Sequence, residues 1–124
     1  MILTPSRSVR VYAYPAPVDL RKGYDGLYGL VEQGLGRDPM SGDLFLFVNE
    51  PRKLCKVLVW DGNGLCIFQK RLAKGAFAKL WRDDDQVVRL TQSELSLFIE
   101  GATIIGRQSL SPIAVERKSL VSDR

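Results

Sequence analysis

The sequence predicts an α+β domain: a mostly antiparallel sheet built around a central hairpin, one main helix near the N-terminus and a short C-terminal helix. Three observations carry this. Leu54 to Trp60 and Leu65 to Leu72 are β-prone runs joined by Asp61-Gly62-Asn63-Gly64, residue types that tolerate the positive φ of a tight turn. Leu20, Tyr24, Leu27, Val31 and Leu35 recur at spacings of three and four, the period of one helical face. Thr91-Gln92-Ser93-Glu94 has capping-box spacing ahead of Leu95, Phe98 and Ile99.

Taken in order, Val11-Tyr12-Ala13-Tyr14 reads as a short strand stopped by Pro15 and Pro17. Asp19 stands where an N-cap belongs, so the main helix is expected from about Asp19 to Leu35. Gly23, Gly26 and Gly29 weaken it, which implies either a closely packed neighbour or a partly irregular segment. Gly34 and Gly36 end it. Asp38-Pro39-Met40-Ser41-Gly42 is a turn, and Leu44-Phe45-Leu46-Phe47-Val48 has the unbroken apolar character of a strand buried on both faces. After the hairpin, Asp83-Asp84-Asp85 marks an exposed turn and Gln86 to Leu90 a last strand; Gly101 closes the short helix. A single domain over 1–105 is expected, with a flexible tail over 106–124, where no period is visible.

A hairpin register follows if Trp60 faces Leu65 across the turn. Trp60 facing Leu65 places Leu58 opposite Ile67, Lys56 opposite Gln69 and Leu54 opposite Arg71. Alternation then puts Arg52, Lys56, Trp60, Gln69 and Arg71 on one face, and Lys53, Cys55, Val57, Val59, Cys66, Phe68 and Lys70 on the other. Cys55 and Cys66 fall about four residues apart along the ladder, too far for a disulfide, and are expected as reduced, core-facing thiols.

Composition narrows the chemistry. The 124 residues include no histidine, which excludes a Ser-His-Asp or Cys-His pair and any histidine metal ligand. Two cysteines cannot make a four-thiolate zinc site, and neither a phosphate loop nor a Gly-x-Gly-x-x-Gly fingerprint occurs. No charge-free run approaches the roughly 20 residues of a membrane span, and the N-terminus does not read as a signal peptide. A soluble, cytoplasmic chain without cofactor or metal is expected. Formal net charge is +4, but Arg52 to Arg82 carries +7, with eight basic residues against Asp61 alone, leaving −3 for the rest. Such asymmetry suits a polyanion; a solvated basic surface is the plainer alternative.

The ordered set Val18-Asp19-Leu20-Arg21-Lys22-Gly23-Tyr24-Asp25-Gly26-Leu27, Asp38-Pro39 with Ser41-Gly42, Leu44-Phe45-Leu46-Phe47, Lys56-Val57-Leu58-Val59-Trp60-Asp61, and Gly64-Leu65-Cys66 leading to Lys70-Arg71-Leu72 resembles the TnpB accessory proteins of bacterial insertion sequences of family sixty-six. The resemblance spans roughly Val11 to Gly101. It implies an accessory factor for efficient transposition, encoded beside a separate, larger transposase, with no established enzymatic activity and so no catalytic residues to carry over. Two departures stand out. Asn49-Glu50-Pro51 precedes Arg52-Lys53 where the family shows an arginine-rich turn, and Ala73 and Leu80-Trp81-Arg82 replace an acid and a Trp-Pro pair.

Three functional classes follow. A non-enzymatic accessory module assisting a transposase would touch DNA non-specifically through Arg52, Lys53, Lys56, Lys70, Arg71 and Lys74, with Trp60 and Trp81 compatible with base stacking, although a strand tryptophan such as Trp60 is more often core. A protein-interaction module would offer a sheet edge to the transposase with no DNA contact. A metal-dependent phosphoryl-transfer enzyme would draw on Asp61, Asp83, Asp84 and Asp85, although consecutive aspartates ordinarily make a solvated turn. No helix-turn-helix or zinc finger is recognisable, so base reading is not expected.

Overall fold

Residues 9–101 of the chain, with the backbone of Ile104–Ile105 and Gln108–Ser109, are described by a computed structural model. The tail expected over 106–124 lies outside the described residues, apart from Gln108–Ser109 (β7), whose backbone pairs with Ile104–Ile105 (β6).

Five strands form the main sheet: β1 (Val11–Ala13), β2 (Leu44–Val48), β3 (Leu54–Trp60), β4 (Leu65–Arg71) and β5 (Val88–Leu90), in the order β4-β3-β2-β1-β5. The hairpin register is the one the turn predicts, with Trp60 opposite Leu65 and Leu54 opposite Arg71. Asp61 shapes the turn, its carboxylate accepting from the N–H groups of Asn63 and Gly64 while Gly62 takes φ +113°. β3 pairs antiparallel with β2, and β1 antiparallel with β5. Only β1 and β2 run parallel, which requires the crossover made by residues 14–43.

β2 is buried at every position, as its composition predicts, because both sheet faces are covered. Its odd and even residues enter different cores. Leu44, Leu46 and Val48 join Cys55, Val57, Phe77, Leu80, Leu95 and Phe98, with the Phe77 and Phe98 rings stacked 4.9 Å apart. Phe45 and Phe47 join Tyr12, Val18, Leu20, Leu27 and Val31, with Tyr12 stacked on Phe45 at 5.8 Å.

The first core is closed by α2 (Gln92–Ile99), whose capping box is formed: Thr91 accepts from the Glu94 N–H while the Glu94 carboxylate accepts from the Thr91 N–H. The second is closed by α1 (Tyr24–Gly29), which widens directly into a π-helix over Leu30–Gly34. This corrects the expected helix from Asp19. Asp19 caps no helix; its carboxylate accepts from the Arg21 N–H and clamps the Arg21 guanidinium. The Val18 N–H donates to the Val48 carbonyl, and the chain then closes a single turn, with the Lys22 N–H on the Asp19 carbonyl, that does not continue, so the helix begins only after Gly23. Tyr24, expected on the apolar face, is half exposed. The two explanations for the glycines divide between positions: a Cβ at Gly23 or Gly29 would meet open space, whereas one at Gly26 would come within 2.9 Å of the Lys22 Cβ. A second close approach lies at Gly34, where the Tyr14 ring occupies the space a side chain would need.

Candidate nucleic-acid interface at the open end of the hairpin

The six predicted contact residues do converge on the open end of the β3–β4 hairpin, but most of their polar groups hold the fold together. Arg52 adopts φ +61° in the β2–β3 turn, and its guanidinium donates to the Phe77 carbonyl at 2.8 Å while the Phe77 N–H returns to the Arg52 carbonyl. Lys53 donates from Nζ to the Gly75 carbonyl at 2.8 Å. Together they tie the segment after β4 across the mouth of the hairpin.

Lys56 and Lys70 sit on opposite faces, as alternation requires. Lys56 is 8% exposed, and its Nζ donates to the Lys22 carbonyl at 2.8 Å, pinning the loop that leads into α1. Lys70 donates to the Ile99 carbonyl at 2.8 Å, giving the last turn of α2 the cation that its own sequence lacks. Arg71 and Lys74 are exposed and make no hydrogen bond or ion pair among the described residues.

Beside this end lies an open groove of about 700 Å³ whose walls include Asp19, Arg21, Glu50, Lys56, Gln69 and Arg71. Sequence reasoning missed Arg21 here; its signal was the i, i+2 spacing to Asp19. The Arg21 guanidinium, hydrogen-bonded to Asp19, holds that carboxyl well below the usual carboxylate range and leaves the pair internally neutralised. Arg71 is a cation of the groove whose side chain has no hydrogen-bond or ion-pair partner among the described residues. No carboxylate lies within ion-pair distance of any of the six predicted residues among the described residues.

The tryptophans do not reinforce this site. Trp60 is half-buried at the turn end of the seven-residue strand β3, about 13 Å along the strand from Lys56 and farther from the other cations. Trp81 packs against the first core. Of the four aspartates of the enzymatic alternative, Asp61 is occupied by its own turn and Asp84 by the Gln86 N–H and the Arg82 guanidinium, and no cluster of acids that could hold a metal forms among the described residues. Both cysteines are free thiols, Cys55 buried in the first core and Cys66 half-buried at its rim, its Sγ 3.5 Å from Asp61. Burial pushes the Cys55 thiol up to about 12; partial burial first, and Asp61 second, raise that of Cys66.

The profile of a family described as "IS66 Orf2 like protein" matches residues 9–109, which takes in the whole sheet and both helices. The chain belongs to this family. Its membership associates it with transposition, in the accessory role of the second reading-frame product of these elements. It is 33% identical over 100 residues to the uncharacterized protein y4jC of Sinorhizobium fredii, covering 81% of this chain and 85% of the relative. A second protein of that bacterium, the uncharacterized y4hO, is 32% identical over 101 residues, covering 81% and 86%. No solved structure matches the chain.

Proposed function

We propose that this IS66 Orf2-like chain is a non-enzymatic accessory protein that supports transposition by holding DNA phosphates at the open end of its hairpin while a separate transposase performs the chemistry. The observation that carries this reading is the group of six cations gathered there with no carboxylate in ion-pair distance among the described residues. Arg71 and Lys74 are the exposed, unpartnered members and make the contacts; Arg52, Lys53, Lys56 and Lys70 contribute charge from fixed positions. A phosphate-directed surface carries no base information, so binding is indifferent to sequence.

The test is a salt titration of binding to a mixed-sequence duplex. Affinity falls linearly on logarithmic axes, and Arg71→Gln with Lys74→Gln flattens the slope by about 2, one unit for each lost phosphate contact. Unchanged affinity and slope in the folded double variant would overturn it.

A second reading rests on β4, which ends the sheet. The Leu72 N–H donates to the Lys53 carbonyl and the Asp61 N–H to the Gly64 carbonyl, so even-numbered residues of β4 face β3. The backbone groups of Leu65, Ile67, Gln69 and Arg71 therefore point outward, an open edge for a strand of the transposase. Co-purification with the transposase, with and without DNA, separates the two readings.

A further inference from the structure

The sheet edge farthest from the hairpin carries a second cationic locus. Arg89 of β5 stands directly across from Tyr12 of β1, and its guanidinium carbon lies 5.7 Å from the centre of the Tyr12 ring. Arg37 reaches the same ring from the loop after the π-helix, at 4.1 Å, its backbone fixed by an N–H bond to the Val31 carbonyl. The ring is 2% exposed and stacked on Phe45, so it is a rigid platform, whereas both arginines are exposed. Measured from one centre, the two guanidinium carbons lie within about 10 Å of each other, the Debye length at 0.1 M salt, so each feels the other's charge.

An aromatic face accounts for one stacked cation. It does not account for two sharing a ring with no carboxylate in ion-pair distance of either among the described residues. The nearby acids are engaged with backbone: Asp38 accepts from the Met40 N–H, and Asp43 from the Arg10 N–H. Arg10 itself precedes β1 by one residue and, by alternation, shares the Tyr12 side of it, adding a third positive charge. Planar guanidinium groups held this way match the oxygens of a phosphate.

We propose that Arg37 and Arg89, stacked at Tyr12, form a phosphate-binding site that takes a backbone phosphate of nucleic acid. The nucleic-acid source rests on the DNA reading above; the anion site rests on this geometry alone. β4 and β5 are separated by four strand spacings, about 19 Å, so this site and the hairpin end engage different phosphates.

The experiment follows the arginine Nε–H resonances of the full chain by NMR during titration with inorganic phosphate and, separately, with a mixed-sequence duplex at low salt. The Arg37 and Arg89 signals should move together in both titrations, and Arg37→Gln should abolish the Arg89 response while the backbone spectrum stays folded. Arg37→Lys should restore it only partly, because the ammonium lacks the planar fork. The salt slope of duplex binding should fall by about 2 in Arg37→Gln with Arg89→Gln. Hairpin signals that move with duplex while Arg37 and Arg89 stay still overturn this site and leave the hairpin reading standing. Movement of Arg37 and Arg89 with both probes, alongside wild-type affinity in the Arg71/Lys74 variant, supports this site and sinks the hairpin reading. A response to phosphate without one to duplex overturns the nucleic-acid assignment, and no response to either overturns the site.

Discussion

β2 and β4 flank the same strand, β3, yet they live in different environments. Every residue of β2 is buried, whereas β4 has no fully buried residue and exposes Gln69 and Arg71. The cause is position in the sheet. β2 has a strand on each side and a core on each face, while β4 has a free edge, and its side chains Leu65, Cys66, Ile67 and Phe68 pack only along the rims of the two cores. The difference teaches how position in the sheet divides the strands: apolar burial in β2 holds the fold, while the edge strand β4 leaves exposed the features on which the proposed function draws.

The largest expected effect tests that separation directly. Phe45→Ala removes a fully buried ring stacked on Tyr12 and costs about 3–5 kcal/mol, whereas Phe68→Ala, on the half-open strand, costs less than half as much. Chemical denaturation of the two variants measures this, and equal losses would erase the contrast.

The next effect depends on pH and compares the two thiols. Burial raises Cys55 in the folded state from 9.0 to about 12, so the folded chain holds that proton more tightly than the unfolded one. The associated stability is complete below about 9 and is lost as pH rises toward about 12. Denaturation across that window should show a decline that Cys55→Ala reduces. A thiol reagent applied at neutral pH should modify Cys66 first, since Cys55 is 0% exposed.

Smaller again are the lysines that serve as staples. Lys56→Ala leaves the Lys22 carbonyl without its donor and costs about 1–3 kcal/mol. Arg71→Ala, exposed and unpaired among the described residues, changes stability by about 0.5 kcal/mol or less. Thermal melts of both distinguish structural cations from free ones; DNA-binding variants built on Lys56 or Lys70 would confound the two. The smallest effect is predicted for Gln69→Pro. It removes an outward-facing N–H, so no bond to β3 is lost, and the fold persists while co-purification with the transposase through this edge is abolished. Retained capture would dismiss the edge.

Much of this was written in local pattern. The hairpin was legible because Asp61-Gly62-Asn63-Gly64 tolerates a tight turn, and once Trp60 is taken to face Leu65 every later pair follows by counting. The burial of β2 was legible from five consecutive apolar residues, and the cap of α2 from Thr91 and Glu94 three positions apart. Each depends on residues adjacent in the chain.

What only the tertiary structure decided depends on distant partners. Asp19 has the composition of an N-cap, but the hydrogen bond from Val18 to Val48, thirty residues on, ties the chain before it to the sheet, and Asp19 to Lys22 makes one isolated turn, so the helix starts only at Tyr24. Lys53, Lys56 and Lys70 read alike as solvated charges in sequence. Carbonyls of Gly75, Lys22 and Ile99, brought beside them by the sheet and α2, fix their side chains, while Arg71 meets no such carbonyl and stays free. Arg37 and Arg89 are separated by fifty-two positions and share a ring only because β5 pairs with β1. A side chain's local preference is set by its neighbours in the chain, but its charge is committed by whichever acceptor the fold delivers to it.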